Sequence, residues 1–475
     1  MQSYVKFVIL LTTLSYHNLK VISMKNGRFF CICLSLALLA SIGAPGARAY
    51  TYDGMPEVDI RAAAALLVDA DTGEYLYAKN INARREPASV TKIMTCLLAL
   101  EMIGDWEARK NETVTVTEGA FFDMIPEGSI AGLQTGEQLR LEDMLYCMML
   151  QSGNDASNVL AIHLSGSVAA FVERMNSRAQ ELGCQGTQFA NPHGLPNSNH
   201  YTTAADIYKI TEQAVRTPLF MDITHRTSWI VPATNKSAER VLTTTNSLIS
   251  TARYSEYYYP PARGIKTGWT TNAGLCLVSS AERDNLRLIS VILGAERETN
   301  PDRQRHFVET RLLLEWGFEN FTQKRLLSKT PPISQIKVLR GVDKDVVTLV
   351  PEREIFALVP KTLDISLIER KVSLKNPEGM YAPIFMDEVL GTVTLEYEGH
   401  VYGTVDLIAA YTVQENTVEA VRDLVAEWLS QTWIRWTLAG LLTLLLLYIV
   451  LTLALNARRK REKNRRPGNY RGRRR

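Results

Sequence analysis

A serine and a lysine three residues apart stand at the start of an apolar segment. Ser89 and Lys92 occur in the sequence P-A-S-V-T-K, after which the chain becomes rich in Leu, Met and Ala. On a helix such residues share one face, with Cβ atoms about 5–6 Å apart. A buried lysine loses its proton below its usual pKa of about 10.4, because desolvation disfavours the charged form. The pair therefore predicts a base beside a nucleophile; Ser89 as a simple helix cap is the alternative.

Two further short motifs follow along the chain. The tripeptide S-G-N at 152–154 comes directly after an apolar segment, and a hydroxyl and a carboxamide there suit proton relay and amide recognition. The tripeptide K-T-G at 266–268 opens an apolar strand. A lysine with neighbouring hydroxyls can hold a carboxylate, and a glycine lets a substrate backbone approach closely. Each tripeptide is a weak signal by itself.

Taken together and in this order, the three motifs resemble the signature of penicillin-binding proteins. Ser152 lies 63 residues after Ser89, and Lys266 lies 114 residues after Ser152. The S-G-N form is that of the low-molecular-mass D-alanyl-D-alanine carboxypeptidases, and F-A-N-P-H-G-L at 189–195 and L-E-W-G-F at 314–318 are also similar to that family. The resemblance extends over residues 57–320.

The resemblance implies a role for each matching residue. Ser89 would be the acyl-ester nucleophile, Lys92 its general base, and Ser152 the group that passes a proton to the leaving D-alanine. Asn154 would bind the peptide amide. The backbone N–H groups of Ser89 and Trp269 would form the oxyanion hole, of which the Ser89 half is also expected from a helix N-terminus.

The substrate that the resemblance implies is a peptidoglycan stem peptide ending in D-Ala-D-Ala. Its terminal carboxylate would be held by Lys266, Thr267 and Thr270, and β-lactams would be covalent inhibitors. The family also uses a downstream arginine, for which Arg303 and Arg305 are the candidates. No cofactor is implied. The seven histidines are scattered, without a zinc-binding pattern, so we expect no metal.

The elements that must position these residues alternate between helix and strand. The patterns predict a hairpin at 63–78, helices at 91–102, 141–150 and 168–182, and buried strands at 274–280 and 286–293. We therefore predict an α/β (α+β) fold. The resemblance implies a β-lactamase/transpeptidase-like domain, with an antiparallel sheet flanked by helices and the active site between the Lys266 strand and the Ser89 helix.

Both ends of the chain carry membrane signals. A basic start at 24–28, an apolar stretch and A-R-A at 47–49 predict a secretory signal cleaved before Tyr50, with translation from Met24. Residues 436–455 are uncharged, and twenty residues at about 1.5 Å each span about 30 Å, the thickness of a bilayer core. The arginine-rich tail beyond them predicts a cytoplasmic end and an extracytoplasmic body.

Between residues 324 and 415 the pattern is β-rich without a strong helix, which predicts a small all-β domain. The predicted order is a signal region (1–49), a catalytic domain (50–323), a β-rich domain (324–415), a connecting helix (416–435), a transmembrane helix (436–455) and a basic cytoplasmic tail (456–475).

Other functions fit the sequence less well. A class A β-lactamase needs a glutamate in E-x-x-x-N, and no such pattern occurs between Ser152 and Lys266. The body at 50–455 contains 37 basic and 49 acidic residues, so nucleic acid is not an expected partner. An endopeptidase acting on cross-links shares the same motifs and stays open, as does a non-catalytic penicillin-binding scaffold.

Overall fold

A computed structural model describes residues 55–126, 128–297 and 304–463. The predicted signal region with its start at Met24 and cleavage before Tyr50, the candidate Arg303 and the tail from residue 464 lie outside the described residues. The chain divides between Thr322 and Gln323 into two compact units.

Helices and strands alternate along the first unit. Its strands are β1 (Ala64–Asp69), β2 (Tyr75–Lys79), β3 (Thr113–Thr115), β4 (Gln138–Arg140), β5 (Ser228–Val231), β6 (Arg240–Thr243), β7 (Lys266–Thr270), β8 (Gly274–Arg283) and β9 (Leu286–Ala295). Its helices are α1 (Lys92–Ile103), α2 (Trp106–Arg109), α3 (Leu141–Met149), α4 (Asn154–Ser165), α5 (Val168–Glu181), α6 (Ala204–Val215), α7 (Pro218–His225) and α8 (Arg305–Asn320).

A five-stranded sheet in the order β2-β1-β9-β8-β7 organises this unit, and every neighbouring pair is antiparallel. All six residues of β1 are buried, as expected for a strand covered on both faces. Successive side chains of a strand point to opposite faces. Leu66 accordingly joins the core cluster that contains Ile93 of α1, while Leu67 faces Gly317 of α8. Helices therefore cover both faces of the sheet.

The second unit is mostly strands. They are β10 (Phe321–Leu327), β11 (Ser334–Leu339), β12 (Val346–Pro351), β13 (Ile355–Pro360), β14 (Glu369–Leu374), β15 (Met380–Tyr381), β16 (Val389–Tyr397) and β17 (His400–Ala409), of which the first begins just before the unit boundary. Six form a sheet in the order β14-β16-β17-β12-β11-β15, and β10 pairs with β13. Valine, leucine and isoleucine side chains dominate the core of this unit.

Two helices end the described chain, α9 (Thr417–Ser430) and α10 (Thr432–Lys463). The segment Thr432–Arg461 is long and apolar enough to cross a membrane, with a mean hydropathy of 2.6 over its most apolar 18 residues, and it includes the predicted span at 436–455. The predicted fold class is thus confirmed: an antiparallel sheet flanked by helices, then a small all-β region and a C-terminal apolar helix.

Adding a side chain at Gly317 should disturb the close packing of α8 on the sheet. A Cβ there would lie 2.7 Å from Leu67 Cδ2 and 2.8 Å from Leu288 Cδ1. We expect Gly317→Val to lower the free energy of unfolding by about 1–3 kcal/mol, the usual cost of overpacking. Denaturant unfolding followed by tryptophan fluorescence measures this. Glu319→Ala, on the exposed side of α8, is the control and should change stability by less than about 0.5 kcal/mol. Equal stability of both variants would contradict the described packing.

Candidate active site

The turn that carries Ser89 is held in an unusual conformation. Residues Ala88–Thr91 form a 3-10 turn ahead of α1, and Ala88 has φ +48°, in the left-handed region. Thr91 Oγ1 donates to the Ala88 carbonyl at 2.8 Å, and His200 Nε2 lies 2.8 Å from the same hydroxyl. A Cβ at Gly194 would lie 1.9 Å from the Ala88 oxygen, so only glycine permits this approach. Packing and hydrogen bonds thus fix the backbone just before Ser89.

The imidazole of His200 acts in this arrangement as a neutral group. Its Nδ1 accepts a hydrogen bond from the Ala190 N–H at 2.9 Å, so Nε2 carries the proton that points to Thr91. Burial lowers the pKa of His200 to about 3, which keeps the ring uncharged near neutral pH.

The amino group of Lys92 is fully buried and has three oxygen neighbours. Its Nζ lies 3.1 Å from Ser89 Oγ, 2.7 Å from Asn154 Oδ1 and 2.7 Å from the His193 carbonyl oxygen. Burial, with the charge of Lys266 as a smaller cause, holds the pKa of Lys92 well below its ordinary value. A neutral amine has two N–H donors and one lone pair. It can therefore donate to the two carbonyl-type oxygens and accept the proton of Ser89.

The position of Asn154 follows from a sharp change of direction between two helices. Helix α3 ends at Met149, Ser152 takes φ +60°, and Asn154 is the first residue of α4. A Cβ at Gly153 would lie 2.8 Å from Asp155 Oδ1, so the turn leaves no space for a side chain there. The turn places both the Ser152 hydroxyl and the Asn154 amide at the start of a buried helix.

The carbonyl of His193 is fixed by a tight loop. The Asn191 side chain accepts from the Gly194 N–H at 2.7 Å and donates to the Leu195 carbonyl at 3.0 Å. The His193 ring accepts from the Leu195 N–H at Nδ1, so its Nε2–H donates to Asp123 Oδ2, 2.8 Å away. Burial lowers the pKa of His193 despite this carboxylate, so the loop holds a neutral ring.

Strand β7 closes the site from the other side. It is an edge strand, and a Cβ at Gly268 would lie 3.0 Å from the Ser89 nitrogen. The strand therefore runs directly against the Ser89 turn. Lys266 at its start is buried, and burial, followed by the charge of Arg253, lowers its pKa to about 7. Its Nζ donates to the Thr267 carbonyl at 3.2 Å, and Thr267 Oγ1 lies 2.6 Å from Thr245 Oγ1.

A cleft of about 500 Å³ opens between these elements. The predicted site residues that line it are Ser89, Ser152, Asn154, Thr267, Trp269 and Thr270. The other two, Lys92 and Lys266, are buried in the adjoining elements. The structure thus brings together residues that lie up to 181 positions apart in the sequence.

Several cleft residues were not found by sequence reasoning. Of the two candidate arginines, Arg305 pairs with Glu309 at 2.7 Å and is not among the cleft residues, and Arg303 is not described. The arginines that do line the cleft are Arg253 and Arg297. No short motif surrounds either of them, so the sequence carried no signal for them.

Cysteine and metal chemistry have little support in the described part of the chain. Cys96, Cys147 and Cys276 are buried thiols, Cys184 is half-buried, and none of the four is in a disulfide. Burial raises the pKa of Cys276 to about 11 and so suppresses its thiolate. Among the residues that the structure describes, no group of three or more histidine, cysteine or acidic side chains is placed to hold a metal ion.

A serine hydroxyl beside a buried lysine whose pKa is lowered, with a second serine in the same cleft, is the arrangement expected of an acyl-transfer enzyme with a serine nucleophile. Comparison with known proteins agrees. Residues 51–297 match the D-alanyl-D-alanine carboxypeptidase family, and residues 321–415 match the C-terminal domain of penicillin-binding protein 5. The chain belongs to the D-alanyl-D-alanine carboxypeptidase family, and it is a serine-type D-Ala-D-Ala carboxypeptidase.

Individual relatives cover most of the chain. D-alanyl-D-alanine carboxypeptidase DacF of Bacillus subtilis is 32% identical over 347 residues, which is 73% of this chain and 84% of the relative. DacA of Haemophilus influenzae is 31% identical over 349 residues, with the same shares. The crystal structure of penicillin-binding protein 5 from Haemophilus influenzae matches with a TM-score of 0.58 and 31% identity, covering 76% of this chain and all of that one.

Replacing Lys92 tests directly whether it acts as a general base. An arginine keeps the positive charge but cannot offer a neutral lone pair near pH 7. We expect Lys92→Arg to slow D-alanine release from a peptide ending in D-Ala-D-Ala by about 10²-fold or more, the usual size of a general-base contribution. Lys110→Arg is the matched control, because it keeps a surface ion pair with Glu107. A Lys92→Arg enzyme as fast as this control would show that another group takes the proton.

Proposed function

We propose that the chain removes the terminal D-alanine from peptidoglycan pentapeptide stems, using Ser89 as nucleophile and Lys92 as general base. The observation that carries this assignment is the set of three oxygen atoms around Lys92 Nζ. Because burial lowers the pKa of Lys92, a neutral amine can donate to Asn154 Oδ1 and the His193 carbonyl and direct its lone pair at the Ser89 hydroxyl.

Acylation begins with proton transfer from Ser89 Oγ to Lys92 Nζ. The oxygen attacks the carbonyl carbon of the penultimate D-alanine, and the backbone N–H groups of Ser89 and Trp269 stabilise the oxyanion. When the C–N bond breaks, Ser152 relays the proton from Lys92 to the leaving amine, so D-alanine departs and Lys92 is neutral again. The proximity of β7 to the Ser89 turn supports this oxyanion hole, because an edge strand has backbone groups free for other partners.

Deacylation repeats the same proton transfers with water. Lys92 takes a proton from the attacking water and returns it to Ser89 Oγ as the ester bond breaks, and the shortened peptide leaves with a new carboxylate. A β-lactam carries its leaving amine within a ring, so the amine stays tethered after acylation. We therefore expect β-lactams to remain covalently attached to Ser89.

Substrate orientation follows from the donors that line the cleft. Asn154 Oδ1 is engaged by Lys92, which leaves the Nδ2 donor for the peptide carbonyl of the substrate. Thr267 and Thr270 offer hydroxyl groups along the cleft wall. When protonated, Lys266 would add positive charge near the terminal carboxylate.

The proposed setting is the outer face of the cytoplasmic membrane. Residues 50–323 form the catalytic domain and 324–415 the β-rich domain, with 416–435 as the connecting helix. The span at 436–455 lies within the apolar helix α10, and the tail at 456–475 contains eleven basic residues and one acidic residue. These features support a single C-terminal anchor with a cytoplasmic tail, after removal of the signal region at 1–49.

The role of Lys266 predicts a pH dependence that only one kind of substrate shows. Lys266 is charged below a pKa of about 7 and neutral above it. We expect kcat/KM for a free-carboxylate peptide to fall as pH rises through about 7, whereas the C-terminally amidated peptide lacks this fall.

At pH 6, Lys266→Gln should cost the free-carboxylate peptide about 10- to 150-fold, the value of a charge-assisted hydrogen bond of about 1.5–3 kcal/mol. Steady-state assays of both peptides measure this difference. Equal losses on the two peptides would mean that Lys266 does not interact with the carboxylate.

The proposed topology is tested by access from outside the cell. Protease added to spheroplasts should digest the body and spare an epitope tag placed after Arg475, because an arginine-rich tail resists translocation. Truncation before Trp433 should release active enzyme into the medium, since the three motifs all precede residue 269. Digestion of the tag with protection of the body would invert the orientation and contradict a role in cell-wall trimming.

A further inference from the structure

One carboxylate outside the three motifs joins two segments that surround the buried lysine. Asp123 follows the 3-10 turn at Glu118–Phe121. Its Oδ1 accepts from Asn158 Nδ2 at 2.9 Å, and its Oδ2 accepts from His193 Nε2 at 2.8 Å. Burial would raise the pKa of Asp123, but the hydrogen bonds from His193 and Asn158 outweigh it and hold the pKa below its ordinary value. Both oxygens are therefore acceptors at neutral pH.

The two partners of Asp123 belong to the two segments that supply carbonyl-type oxygens to Lys92. Asn158 lies one helical turn after Asn154 in α4, and the Asn154 side chain accepts from Lys92 Nζ at 2.7 Å. The backbone carbonyl of His193 accepts from the same amino group, also at 2.7 Å. Asp123 therefore ties together the two segments whose relative position fixes these acceptors.

The ring of His193 is held from two sides. It is fully buried, its Nδ1 accepts from the Leu195 N–H at 3.2 Å, and its one N–H points to Asp123. Without that acceptor, a buried N–H would be left without its hydrogen bond, which is unfavourable. Rotation of the ring would break the bond to Leu195 as well. Relief therefore requires movement of the loop, and with it of the carbonyl that Lys92 contacts.

The segment that contains Asp123 also forms one wall of the cleft. Ile125 and Ser129 line the cleft, and the Ser129 carbonyl accepts from the Asn154 N–H at 2.8 Å. Loss of Asp123 would therefore have one of two effects on the kinetics. A displaced cleft wall weakens substrate binding and raises KM, whereas a displaced Lys92 lowers kcat.

We propose that Asp123 is a positioning residue for the reaction, which holds Lys92 in place by bridging Asn158 of α4 and His193. Asp123 is not among the residues that line the cleft, so it acts through the two segments that receive the N–H bonds of the lysine. The inference rests on the proposed function, because it takes Lys92 as the general base. It adds a requirement to that function: the lone pair of the amine faces Ser89 only while both acceptors of its N–H groups stay fixed.

Three substitutions of Asp123 separate its geometry from its charge. Asp123→Ala removes both acceptors, Asp123→Asn keeps an acceptor for the His193 N–H without the charge, and Asp123→Glu keeps the charge on a longer side chain. For a peptide ending in D-Ala-D-Ala, we expect kcat for D-alanine release to fall about 10- to 100-fold in Asp123→Ala, with KM unchanged. That range is expected when a catalytic group is misplaced by about 1 Å. Asp123→Asn should be several-fold faster than Asp123→Ala, and faster than Asp123→Glu.

Asp105→Ala is the matched control, because it removes an exposed carboxylate that accepts from the Ala108 N–H at the start of α2. It should leave kcat and KM unchanged, and thermal unfolding compares the stability of all variants. A rise in KM with unaltered kcat in Asp123→Ala would overturn the proposal, because Asp123 would then hold only the cleft wall. If Asp123→Ala does not fold, equal kcat in Asp123→Asn, Asp123→Glu and the wild type overturns it.

A double variant tests the route through His193. His193→Ala keeps the backbone carbonyl but removes the ring that Asp123 contacts. If Asp123 acts through this ring, adding Asp123→Ala to His193→Ala should lower kcat much less than Asp123→Ala lowers it in the wild type, because contacting residues are coupled. Losses that multiply independently would overturn the proposed route.

The same assays separate this proposal from the function on which it depends. A wild-type protein that released no D-alanine from the peptide would contradict the proposed function, and the role of Asp123 with it. An active wild-type protein, together with an Asp123→Ala variant whose kcat equals that of Asp105→Ala, would leave the function intact and overturn the role of Asp123 alone.

Discussion

Burial of a single amino group is the constraint on which this active site depends. A lysine removed from water is stable only if its hydrogen-bonding capacity is met, and the cost of keeping it charged drives it toward the neutral form. The hydrogen-bonding capacity of Lys92 is met by three oxygen atoms, from Ser89, Asn154 and His193. In the proposed mechanism, the contact through which the lysine acts as a base is therefore also the one that aligns the serine.

The rest of the fold brings those three oxygens to one point. Ser89 comes from a turn held by Thr91 and His200, Asn154 from the start of a second helix, and the His193 carbonyl from a loop stiffened by side-chain hydrogen bonds. The strained φ of Ala88 persists because surrounding contacts fix it, as is common at active sites.

The sequence was sufficient for the motifs and for a mixture of helices and strands, because these depend on local spacing and hydrophobic pattern. The antiparallel sheet flanked by helices was implied by the family resemblance. Ser89 and Lys92 share a face by helical geometry alone. The remaining site residues could not be found in this way. Arg253 and Arg297 line the cleft although no short motif surrounds either of them, so their position depends on the tertiary fold. The i,i+4 spacing of Arg305 and Glu309 is typical of a local ion pair, which is a signal against Arg305 as a substrate ligand that the sequence analysis did not use.

The central claim, that Lys92 is a neutral amine poised to accept a proton from Ser89, is tested most directly by measuring its protonation state. Protein labelled with 15N at lysine side chains, with the Lys92 signal assigned by its loss in Lys92→Met, can be titrated by NMR. We expect the Lys92 amine to be uncharged at pH 7 and its pKa to lie well below 10.5. A Lys92 signal that keeps the chemical shift of an ammonium group up to pH 10 would contradict the account.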